Sequence, residues 1–130
     1  MNASSIDIVD ILEAESSLGL TFAENLFVGR EPTKPDVCVT VFDYAGMPPQ
    51  LNLTDQGYEY PSVNMRVRAR DYQTGSALCE QIKTALHGRA NETWNSTYYS
   101  VIYCISGPAL LDWDENSRAR FTINFNIQRR

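Results

Sequence analysis

Few side chains in this sequence are able to do chemistry, and their spacing matches no catalytic or metal-binding pattern. His87 is the single histidine, and it falls at the polar end of a helical stretch, where an imidazolium meets the negative end of the helix dipole. A Ser or Cys nucleophile would need it as a base, and no segment carries a nucleophile elbow or a cysteine-protease pattern. Cys38, Cys79 and Cys104 lie 41 and 25 residues apart with no Cys or His beside them, which is not a zinc spacing. Each falls inside an apparently regular element and reads as a small core residue.

Asp112, Asp114 and Asn116 copy the first three ligand positions of a calcium loop, but the pattern then fails. Ser117 stands where the sharp turn needs Gly, and Ile123 stands where the bidentate Glu belongs. The segment reads as an acidic surface loop with Trp113 anchoring it or facing a partner. There is no Gly-rich phosphate loop and no dinucleotide fingerprint, and nothing singles out a pair of carboxylates for glycoside chemistry. The expectation is a protein without catalytic residues, metal or cofactor.

What remains is patterned charge. Arg66, Arg68 and Arg70 recur at every second residue of an extended stretch, about 6.6 Å apart, giving a basic line about 13 Å long. Asp7, Asp10 and Glu13 occupy one side of the first helical stretch. Patches of opposite sign on one subunit favour head-to-tail packing of the kind that closes into rings. The alternative is that both are solvated faces. The two patches are candidate subunit-interface residues, together with Met47, Leu51 and Leu53, the apolar members of a long Gly- and Pro-containing segment at 45–59. That segment is either an arm docking on another subunit or an extended hairpin folded onto its own sheet.

The elements that position these groups follow from periodicity. Val63, Met65, Val67 and Ala69 alternate with Asn64, Arg66, Arg68 and Arg70, the period of a half-buried strand. Asp71 then opens a helix in which Gly75, Leu78, Cys79, Ile82, Ala85 and Leu86 share an arc opposite Ser76, Glu80, Lys83 and His87. Before this unit, Ser4 or Ser5 caps a first helix with Ile8, Val9, Ile11 and Leu12 on one side, stopping near Gly19. A weak strand around Phe22–Val28 and a stronger one at Val37–Tyr44 follow. After the second helix, Arg89–Asn95 reads as a polar connection and Thr97–Ser106 as a strand ended by Gly107 and Pro108. Ala109–Ser117 reads as a loop or short bend, and Arg118–Arg129 as a strand with Ala119, Phe121, Ile123, Phe125 and Ile127 inward. The expected fold is α+β: a single domain spanning residues 1–130, with a mixed or antiparallel four- to five-stranded sheet and two helices packed on one side.

Composition bounds the partners. The chain has 130 residues, 43% hydrophobic and 21% charged, with no apolar run near the roughly 20 residues of a membrane helix. The acidic start is not a secretory signal, so synthesis in a cytosol is expected and the Asn-x-Ser/Thr matches at Asn52, Asn91 and Asn95 carry little weight. A net charge of −5 opposes nonspecific DNA binding, which needs a surplus of Lys and Arg.

Several phrases then converge. Lys34-Pro35-Asp36-Val37-Cys38-Val39-Thr40-Val41, Gly46-Met47-Pro48-Pro49, and Pro61 through Arg70 with the helix running to Gly88 resemble the tail terminator proteins of long-tailed bacteriophages, also called minor capsid or tail completion proteins. The resemblance implies a structural virion protein at the phage neck, made in the host cytoplasm. It would assemble with itself as a ring, commonly a hexamer, on the head-proximal end of the tail tube. Its partners would be the major tail tube protein and the head connector, with DNA passing through unbound and no membrane involved. The alternatives are another neck component, such as a head completion or connector-adaptor protein, and a small ligand-binding α+β domain.

Overall fold

The computed structural model describes residues 1–49 and 57–130. Helix α1 (Ser4–Ala14) is followed by a 3-10 turn at Ser16–Leu18, strands β1 (Leu26–Val28), β2 (Cys38–Met47) and β3 (Tyr60–Ala69), helix α2 (Tyr72–Leu86), and strands β4 (Arg89–Trp94), β5 (Thr97–Trp113) and β6 (Ala119–Arg129). The six strands form one curled mixed sheet in the order β1-β2-β3-β6-β5-β4. Among the described residues β1 and β2 pair in parallel, and the other neighbouring strand pairs are antiparallel. The α+β class and the two helices therefore stand, but the sheet has six strands where four or five were expected.

One face of the sheet is the core. Val63, Met65, Val67 and Ala69 of β3 meet Phe125, Ile123, Phe121 and Ala119 of β6 in register, and all are buried. Ile8, Ile11 and Leu12 of α1 and Cys79, Ile82 and Leu86 of α2 pack into the same cluster, so both helices cover that face. Each such side chain contributes about 1.5–3 kcal/mol on burial. Asp71 caps α2 by accepting the Thr74 N–H at 2.7 Å, which satisfies one of the four free donors at a helix start. Gly75 lets α2 approach the sheet: a Cβ there would lie 2.4 Å from the Phe121 ring.

Three sequence expectations are corrected. Arg89–Trp94 is a strand, β4, at the sheet edge. Its residues alternate only between exposed and half-buried, so it lacks the apolar face that marks a strand in sequence. Strand β5 does not stop at Gly107-Pro108 but runs on to Trp113, with register shifts on either side of that dipeptide. Proline is tolerated there because β5 has no partner beyond Ile102 on its outer side among the described residues, so no ladder bond is lost. The segment at 45–59 begins as strand, since β2 extends to Met47 and pairs with Tyr60.

Candidate functional site

The sheet's second face is polar, and β3 and β6 supply its centre. Asn64 donates to Thr122 Oγ1 at 2.6 Å and to Asn124 Oδ1 at 2.8 Å, and Asn124 donates to Ser106 Oγ at 2.8 Å. Toward the β3 C-terminus this ladder gives way to arginines. Arg68 is buried, and its guanidinium donates to the carbonyls of Pro32, Pro35 (2.6 Å) and Asp36 (3.2 Å) and to Glu31 at 3.3 Å. Arg120, its cross-strand partner, holds Asp112 through two bonds of 2.6 Å and reaches the same Glu31 oxygen at 3.2 Å. Arg118 holds Asp114 at 2.7 Å, the Thr33 carbonyl at 2.6 Å and Asp36 at 3.2 Å. Three guanidiniums thus fasten the 31–36 connection and the β5–β6 turn across one end of the sheet, and Glu31 Oε2 is buried there without a partner among the described residues.

This arrangement divides the expected basic stripe. Arg68 is internal and its donors are spent inside the subunit, so it offers nothing to a neighbour. Arg66 is half-buried, with its guanidinium 5.2 Å from the Phe42 ring centre. Only Arg70 is freely exposed, in an ion pair with Asp36 at 3.2 Å. A regular spacing of two puts all three on one face, but whether that face is wet depends on the 31–36 segment lying over part of it. No local pattern encodes that.

The acidic patch divides in the same way. Asp7 is buried, accepting from the Tyr99 hydroxyl and from Asn95 Nδ2 at 2.7 Å, with Arg129 at 3.8 Å. Arg129 also donates to the Asn2 carbonyl at 2.9 Å and to Glu59 at 3.0 Å. Ser5 stands inside α1, bonded to Asp43 through both its N–H (2.9 Å) and its hydroxyl (2.7 Å), and Ala3 takes the cap position. Asp10 is half-buried, bonded to Asn95 at 2.8 Å, and Glu13 is exposed, accepting the Phe22 N–H at 2.6 Å. Met47 is exposed, 64% of its surface open. Leu51 and Leu53 lie outside the described residues.

The groups once weighed for chemistry are committed elsewhere. Hydrogen bonds from Arg120 hold the Asp112 carboxyl below the ordinary carboxylate range. Desolvation pushes Asp114 the other way, but the Arg118 and Asn116 N–H groups and the Arg118 side chain bring it below that range as well. Burial pushes the Cys79 thiol up to about 12 and raises that of Cys38, so neither is a ready nucleophile. His87 accepts the Cys104 N–H at 2.9 Å, serving the β5 edge as a backbone acceptor. Arg118, Arg120 and Arg129, the residues that organise the polar ends, were missed as a set. Their legible signal is that Arg118, just before β6, and Arg120, within it, stand two residues apart as Arg66 and Arg68 do, four and eight residues after Asp114 and Asp112.

The fold and this site define a structural domain, its polar chemistry directed at holding its own sheet. The chain belongs to the bacteriophage tail terminator proteins, whose family model matches residues 7–130. It is thus a structural tail protein and a virion component. Its fold is similar to a chain in the virion of a native gene transfer agent particle, with a TM-score of 0.70 at 12% identity over 98% of this chain and 94% of that one. A second solved chain matches at a TM-score of 0.56 and 9% identity, covering 97% of this chain and 91% of its own. No curated protein matches in sequence.

Proposed function

We propose that this chain closes into a ring of identical copies, six in number, at the head-proximal end of the tail tube. The ring ends tube growth and presents the surface that the head connector meets. The observation that carries this reading is the family match over residues 7–130, which runs from within α1 to the end of β6. The net charge of −5 fits a passage that DNA crosses without sticking, since like charges repel over about a Debye length.

Electron microscopy of purified protein added to polymerising tube subunits tests it. The expected result is a ring at one end of tubes of uniform length. Bare tube ends with an unchanged spread of lengths would overturn it, and binding to the connector with none to tubes would make the protein a neck adaptor instead.

A further inference from the structure

Two edges of the sheet stand at the same height: β5, beyond its pairing with β4 and with no strand outside it among the described residues, and β1, where Phe22 bridges to Leu26. Leu26 of β1 pairs with Val39, Val39 with Val67, Val67 with Phe121, and Phe121 with Leu110 of β5. One cross-strand row therefore runs from edge to edge, about 19 Å at roughly 4.8 Å per strand. Strand β4 does not reach this row, because its pairing with β5 ends at Ile102.

The two edges differ in shape and charge. At the β5 edge, Leu111 and Trp113 stand 45% and 51% exposed beside Leu110, and the exposed acid Glu115 follows. At the β1 edge, Phe22, Phe27 and Val28 line a groove of about 470 Å³ together with Arg30. Arg30 and Lys34 are exposed and make no ion pair among the described residues. One edge is an apolar ridge with acid at its end, the other an apolar groove with base beside it.

We propose that these edges are the two halves of one head-to-tail contact between copies. The β5 ridge of Leu110, Leu111 and Trp113 seats in the next copy's β1 groove, with Glu115 facing Arg30 and Lys34. This assignment rests on the ring reading above. Because β1 and β5 run in opposite directions within the sheet, a neighbour in the same orientation places its β1 antiparallel to β5. The contact is made by side chains more than by a continued backbone ladder, since the Leu26 carbonyl already accepts the Ala23 N–H at 2.9 Å. Edges at equal height join copies without an axial step, and a curled sheet supplies the rotation, so the contact closes where a stepped one would grow a filament.

Two variants test it: a ridge variant, Leu111→Glu with Trp113→Glu, and a groove variant, Phe22→Glu with Arg30→Glu. Circular dichroism and thermal melts check folding, and native mass spectrometry and micrographs of tube ends read assembly. Each variant alone is expected to stay folded and monomeric. Their equimolar mixture should give one-to-one dimers and nothing larger, because one intact ridge then meets one intact groove. If Leu111→Glu/Trp113→Glu fails to fold, Glu115→Arg weakening assembly and Arg30→Glu restoring it in the same chain carries the test. Assembly undiminished in both variants, or a mixture without dimers, overturns the edge contact while wild-type rings still stand. Wild-type protein monomeric both in solution and at tube ends removes the ring reading, and the edge contact with it.

Discussion

Three arginines two residues apart have three different roles, and the difference is measurable. Arg68→Ala would leave Glu31 with Arg120 alone and the carbonyls of Pro32, Pro35 and Asp36 without the Arg68 donor in a buried place, a loss on the order of 3–5 kcal/mol. Arg70→Ala removes only an exposed ion pair and should cost less than about 1 kcal/mol. Urea denaturation midpoints of the two variants check this contrast. The buried Asp7 makes a second test: Tyr99→Phe removes the hydroxyl that Asp7 accepts and to which Arg129 donates at 3.2 Å, and should cost about 1–3 kcal/mol. In acid the depressed carboxyls of Asp71, Asp112 and Asp114 set the sign. The unfolded chain takes up these protons near the ordinary value of 3.8, before the folded chain does. Stability is thus full above that pH and drains as pH falls through the lowered folded values. Denaturation midpoints followed from pH 6 to pH 2 should show that fall, shallower in Asp114→Asn. Such roles were hidden in the sequence, because Asp7 meets Asn95 and Tyr99, and Arg118 meets Thr33, across 82 or more residues.

At the scale of elements, legibility followed burial. Strands β3 and β6 and helix α2 were readable because each has one apolar face, and the alternation of residues 119–128 matches the buried and half-buried residues of β6 one for one. Strand β4 and the outer half of β5 were not, because an edge strand open to water needs no apolar face and its punctuation by Gly and Pro looks like a turn. Gly107 has a φ of +87°, and a Cβ there would stand 2.6 Å from the Thr122 carbonyl, so the residue serves a close crossing within a strand. Helix α2 gives the element-scale prediction. Gly75→Ala gains about 1 kcal/mol in helix propensity, but its methyl would overlap the Phe121 ring, which already takes Tyr72 edge-on at 5.2 Å between centroids. Overpacking should win, with a net loss of about 1–2 kcal/mol seen as a lower melting temperature.

For the whole molecule, the order of strands in space departs from their order in sequence at one decisive place. Strand β6 is the last element in the chain, yet it lies between β3 and β5 and pairs with both. Until residues 119–129 are in place, β3 and β5 have no common partner, and the apolar face that α2 covers is split in two. Folding is therefore a late, long-range closure, with Val63 waiting for Phe125 and Ala69 for Ala119, and pairings this distant in sequence slow the search. A chain cut after Trp113 should keep helical signal at most and expose dye-binding apolar surface. A partly synthesised chain therefore has no finished sheet edge to offer to any other chain, so the timing of the fold itself limits incorrect joining.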